Sequence, residues 1–197
     1  MSLCGEISAN ILIDCDNPLV GGANDRLILI NKAAWDAATI TRNGTNNQLI
    51  ENIVLASGDI AYQFEGKNNS VEPRAALVKQ RYAEVYDHEV IFKIFGNNAA
   101  IKEQVEKLAK GRAIAIIENN YKGDAGAGAF EGYGEETGLE LVEMERVTAD
   151  TDTQGAYNLT LRTSEYAKEA HLPATLFGGS SPASYAETKA IVDALLT

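Results

Sequence analysis

Two histidines, two cysteines and one acid-rich stretch are the side chains of this sequence best suited to chemistry. Catalysis needs a base or nucleophile held among partners. His88 sits between Asp87 and Glu89 in a strand-like stretch, and His171 sits in a loop before Pro173. A lone histidine among polar neighbours reads as a solvated residue; a hydrolase would have to be built around one of these two. No serine occupies a Gly-x-Ser-x-Gly elbow, and Gly179-Ser180-Ser181-Pro182 does not supply one. His-Glu-x-x-His, Cys-x-x-Cys and phosphate-loop motifs are absent from the sequence. Cys4 and Cys15 could close a short N-terminal loop, but a metal site needs two further ligands and neither histidine is near in sequence. With nothing pointing to export, two reduced, partly buried thiols are expected. Between Glu131 and Asp152 there are eight acidic residues and one basic residue, Arg146. Asp150-Thr-Asp152 has the alternating oxygens of a calcium loop but lacks the third ligand and the terminal glutamate. A solvated acidic hairpin or an acidic lining fits this stretch better. Gly126-x-Gly128-x-x-x-Gly132 does not have the dinucleotide spacing and opens no expected helix. No catalytic, cofactor-binding or metal-ligating residue is therefore nominated, and the inventory points away from an enzyme.

The elements that would position these side chains are mostly strands, because the hydrophobic pattern is mostly of period two. Ile7, Ala9, Ile11, Ile13 and Cys15 share one face from Glu6 to Cys15, and Asp16-Asn17-Pro18 breaks the run. Leu27 to Ile30 is unbroken apolar sequence, the mark of a strand buried on both faces. After a turn at Asn43-Gly44, Leu49 to Leu55 and the alternating Ile60, Tyr62 and Phe64 are expected to pair as a hairpin across Ser57-Gly58-Asp59. Arg74 to Phe95 is long and nearly free of breakers, and over its first half neither parity is cleanly apolar. Such a strand suits a protrusion, or pairing with another subunit, better than an isolated core. Val90, Phe92 and Ile94 restore the alternation. Asn97 or Asn98 then caps an amphipathic helix, Ala99 to Lys110, with Ile101, Val105 and Leu108 on one face and Gly111 beyond its end. Arg112 to Ile117 returns to strand. Tyr121 to Gly138 reads as a glycine-rich loop, followed by strands at Leu139 to Val147 and Tyr157 to Thr163. Gly178 to Ser181 is a linker to a C-terminal helix with Ser181 at its N-cap and Pro182 at its first position. The domain reading is thus one β-rich unit over residues 1–177, then linker and helix over 178–197.

The 197 residues carry 28 acidic against 17 basic side chains, a formal net charge of −11, and their composition is that of a globular chain. Such a surface repels phosphate, which disfavours specific nucleic-acid binding. No apolar run approaches the ~18 residues a membrane-spanning helix requires. Met1 to Ala9 contains no Lys or Arg and no long apolar stretch, unlike a secretory leader, so the chain reads as soluble and unprocessed.

The order of elements resembles that of phage tail-tube proteins and their relatives in contractile injection systems. The resemblance runs from Glu6 to Phe177. It is carried by Tyr86 to Phe95, the helix through Ile101 to Leu108, Arg112 to Asn119, Gly138 to Arg146, Gly155-Ala156-Tyr157-Asn158-Leu159-Thr160-Leu161, and Leu172-Pro173-Ala174-Thr175-Leu176-Phe177. It implies an α+β, mainly β fold: an antiparallel β-sandwich or barrel flanked by one amphipathic helix at about 97–110, with a further C-terminal helix that a minimal tube subunit does not require. It also implies a virion structural protein, made in the host cytoplasm, without cofactor or membrane insertion. Its subunits would form rings, commonly hexameric, that stack into a hollow tube and meet other tail or sheath proteins. DNA would pass through the lumen without specific binding.

The negative charge suits that role, since an acidic lumen does not grip phosphate. Tyr62, Phe64, Val78, Tyr82 and Tyr86 lie in the mixed-face region and are the candidate subunit-interface residues; alternatively they fill the monomer's own core. A single-ring terminator, connector or capsid-associated protein is the alternative within this class. A monomeric calcium- or ligand-binding β domain is the alternative outside it.

Overall fold

The computed structural model describes residues 9–12, 14–179 and 182–197. Among these residues the protein is mainly β: eleven strands form one largely antiparallel open sheet, accompanied by three α-helices, one of them C-terminal. In chain order the elements are β1 (Ala23–Asn31), α1 (Lys32–Ala37), β2 (Thr39–Arg42), β3 (Leu49–Val54), β4 (Tyr62–Glu65), β5 (Val71–Lys79) and β6 (Glu84–Ile94). There follow α2 (Ala99–Leu108), β7 (Arg112–Asn119), β8 (Phe130–Tyr133), β9 (Leu139–Glu145), β10 (Tyr157–Thr163), β11 (Ala174–Leu176) and α3 (Tyr185–Ala194). The hydrogen-bonded order is β2-β3-β11-β8-β7-β9-β10-β6-β5, with β1 also paired to β7 and β4 to β1. The pairing of β3 with β11 is parallel.

Strands β1 and β7 run antiparallel at the centre, and their parity divides the interior in two. Leu27, Leu29, Ala113, Ala115 and Ile117 face one core with Val90, Phe92, Leu139, Leu159 and Leu161. Ile28, Ile30, Ile114 and Ile116 face the other, with Trp35, Ile50, Phe130, Leu176 and Val192. An unbroken apolar run is what a strand with protein on both faces demands, and full burial of each such side chain is worth ~1.5–3 kcal/mol. Helix α2 lays Ile101, Val105 and Leu108 on the first core. It begins where expected: the Asn98 side chain accepts the Ile101 N–H at 2.9 Å.

Helix α3 belongs to the second core through Val192 and Leu195. It starts later than the sequence pattern indicated, because Ser184 provides the cap, its hydroxyl accepting the Glu187 N–H. Pro182 precedes the helix, and Ser181 lies outside the described residues.

Four further expectations change. β3 and β4 do not pair as a hairpin: β3 takes β2 and β11 as neighbours, and β4 crosses to β1. Arg74 to Phe95 is not one strand but belongs to the β5–β6 hairpin, which turns where Gln80 N–H donates to the Ala83 carbonyl. The glycine-rich stretch contains a strand, β8, paired to β7 and β11. The expected strand Glu6 to Cys15 lies partly outside the described residues; Ala9–Leu12, Asp14 and Cys15 form no strand, and Cys15 is a free, exposed thiol rather than a partly buried one. Cys4 is outside the described residues.

Candidate functional site: a hairpin edge and a buried polar cluster

Two regions concentrate side chains that a simple fold would not need. The first is the β5–β6 hairpin. β5 is hydrogen-bonded to β6 over Val71–Lys79 and ends the sheet order, so among the described residues its other edge is open. Pro73 marks it as an edge, since proline cannot donate to a ladder. From Arg74 to Leu77 the residues on both faces are exposed. Leu77 is 53% exposed and Tyr82, in the turn, 87% exposed. Arg74 pairs with Glu72 and Glu89, and Arg81 lies over the Tyr82 ring at 5.2 Å.

The five interface candidates separate into two groups. Val78 and Tyr86 are half-buried on the hairpin beside the exposed Tyr82, and Tyr86 exchanges both backbone hydrogen bonds with Glu169. Tyr62 and Phe64 belong to β4 instead. The Phe64 ring meets Phe92 edge-on at 5.7 Å, at the rim of the first core. Both line a groove of about 720 Å³ between β4 and α2, with Leu29, Phe95, Ile101 and Leu108. Leu77, the most apolar exposed side chain on the open edge, escaped the sequence reading. Its signal was its place in a breaker-free stretch with no clean parity.

The second region surrounds His88. Rather than being solvated, His88 and its neighbour Asp87 are both buried. The His88 ring contacts Tyr133 edge-on at 5.6 Å. Its Nδ1 accepts the Gly134 N–H at 3.1 Å, and its Nε2 meets the His171 carbonyl at 3.0 Å. A carbonyl only accepts and an amide N–H only donates, so the ring is neutral with its proton on Nε2. Burial lowers its pKa, against the opposing pull of Glu169, the His171 carbonyl, Asp87 and Glu136. With both nitrogens committed to backbone, His88 has no lone pair left for a substrate or a metal. The His171 side chain is exposed, its Nε2 3.9 Å from Glu136.

Asp87 accepts from Arg162 Nε at 2.7 Å, Thr163 Oγ1 at 2.5 Å and Lys168 Nζ at 2.9 Å. Burial would raise its pKa, but these donors outweigh it and hold the carboxyl at about 2. Glu169 accepts the Glu136 and Thr137 N–H groups, each at 2.9 Å, and the Thr137 hydroxyl at 2.7 Å. Glu135 is ion-paired to Arg42, yet burial pushes its pKa up. Arg42, His88, Glu135, Glu136, Glu169 and His171 border a polar cavity of about 220 Å³. Chemically this is a clasp, fastening the 164–172 segment to β6 and to the turn after β8.

The remaining sequence candidates find structural roles. Both Asp150 oxygens serve their own turn, accepting the Asp152 N–H and the Thr153 hydroxyl. Among the described residues no group of three His, Cys, Asp or Glu side chains is placed to hold a metal. Gly126 permits close packing rather than a phosphate cradle: its φ is +96°, and a Cβ there would fall 2.4 Å from that of Tyr185. The fold thus defines a mainly β chain with an open hairpin edge and a closed polar clasp. Neither family models, curated proteins nor solved structures yield a match to it.

Proposed function

We propose that this protein is a virion structural subunit that self-assembles into stacked rings forming a phage tail tube, and that it performs no chemistry. The observation that carries this reading is the open edge of β5: a nine-residue strand with one partner among the described residues, exposed on both faces from Arg74 to Leu77 and leading to an exposed Tyr82. An edge of this kind templates pairing with another chain, and in a ring every subunit's edge finds a neighbour. The commitment of both His88 nitrogens to backbone supports a non-catalytic role. The net charge of −11 supports a conduit through which DNA slides, since like charge prevents adhesion to the wall.

Light scattering after size exclusion over a concentration series, with negative-stain images of each peak, tests this. Hollow stacked tubes are expected; single rings that do not stack would make the protein a terminator or connector. A second reading, a monomeric ligand-binding domain, is favoured by the groove between β4 and α2. A strict monomer at every concentration would select it.

A further inference from the structure

The segment that leads into β1 forms no strand among its described residues. From Glu6 to Cys15 apolar and polar side chains alternate except at Leu12, which is apolar on the polar parity. Yet Ile11 is 93% exposed, Leu12 82% and Leu19 83%. Leaving such side chains in water forfeits the burial that an alternating pattern exists to gain. From Ala9 to Val20 the charges are Asp14 and Asp16, with no Lys or Arg.

The open edge of β5 is complementary in three respects. It is nine residues long, matching the ten of the alternating stretch. It has an unused ladder and exposed apolar side chains at Leu77 and Tyr82. Its charge is also opposite. In this acidic chain, Val71 to Ala83 holds three basic residues, Arg74, Lys79 and Arg81, against one acidic residue, Glu72. Neither Lys79 nor Arg81 has an ion-pair partner among the described residues.

We infer that the N-terminal arm of one copy adds as an extra strand to the β5 edge of a second copy, with Asp14 and Asp16 towards Lys79 and Arg81. Main-chain hydrogen bonds supply the affinity in this mode and alternate side chains the specificity. The acceptor is a neighbour and not the same chain, because the described part of the arm lies with its apolar side chains in solvent while its own β5 edge stays open. The inference rests on the self-assembly reading and specifies its contact.

Complementation tests it. One variant lacks residues 1–20 and keeps the hairpin; the other keeps the arm but carries Leu77→Asp, Lys79→Glu and Arg81→Glu. Size exclusion with light scattering is expected to show assembly by the full chain, monomers for each variant alone, and a one-to-one dimer when they are mixed. Thermal melting of the truncated variant is expected to match that of the full chain, because Ile11, Leu12 and Leu19 are exposed. Assembly of the truncated variant at full-chain concentrations would overturn the inference and leave the self-assembly reading standing. A full chain that never assembles would overturn both. A marked loss of thermal stability on truncation would place the arm on its own chain and overturn the exchange.

Discussion

His88 and Gly134, forty-six positions apart, are joined by a hydrogen bond in which the glycine N–H donates to the imidazole Nδ1 at 3.1 Å. That contact fixes the tautomer, and the His171 carbonyl accepts the hydrogen bond from Nε2–H. One neutral ring therefore connects β6, the turn after β8 and the segment preceding β11.

The first prediction concerns pH. An unfolded histidine titrates near 6.5, and burial lowers the native value. As pH falls below 6.5 the unfolded chain takes up a proton that the native ring refuses, so stability declines with acidification until the native pKa is reached. Glu135 acts in the opposite sense. Its native pKa is raised above 4.5, so the native state binds its proton first and gains stability as pH drops towards that value. In a Glu135→Gln background, urea midpoints are expected to fall on acidification from about pH 7 to 5, and His88→Gln to flatten the slope. An unchanged slope in the double variant would show that another group carries the dependence.

The Asp87 cluster predicts a separate acid limb. Asp87 is held at about 2 against 3.8 in an unconstrained chain, so its contribution is intact above 3.8 and lost as pH falls towards 2. The side chains of Lys168 and Asp87 are 9% and 7% exposed around their 2.9 Å pair. Lys168→Met should cost about 3 kcal/mol by leaving a buried charge short of a partner. Adding Asp87→Asn to it should recover part of that loss, as a double-mutant cycle would measure.

A third prediction concerns the joint between the sheet and α3. The backbone at Gly178 runs against β3, where a Cβ would fall 1.6 Å from the Glu51 carbonyl oxygen. The Gly178 N–H donates to Thr188 Oγ1 on α3. Gly178→Ala should therefore cost about 1–3 kcal/mol through overpacking. Hydrogen exchange should show the opening centred on α3 and β3, with α2 still protected.

Much of the scaffold was legible in the sequence. The run Leu27 to Ile30 announced a strand buried on both faces, and Ile101, Val105 and Leu108 announced the inner face of α2, because local periodicity reports how many faces a strand or helix buries. β8 was hidden for the converse reason: Phe130-Glu-Gly-Tyr133 is short and glycine-bearing, and its strand character comes from β7 and β11 on either side. The pairing of β4 with β1 rather than β3 was equally unreadable, since turn chemistry at Gly58 marks a reversal without naming the partner.

The candidate regions divide along the same line. The absence of clean parity between Arg74 and Tyr82 was enough to mark a strand that the monomer would not bury, and the hairpin edge is where that signal falls. The sequence around His88 indicated the opposite of what is found. Asp87 and Glu89 on either side suggest solvent, while the groups that bury and orient the ring stand forty-six and eighty-three positions away. The sequence alone determined the strand-rich character, the two-sided burial of β1, and the cap and face of α2, all properties of neighbouring residues. Only the tertiary structure decided which edge stays open and which polar groups are sealed in, because both depend on contacts between distant segments that no local pattern encodes.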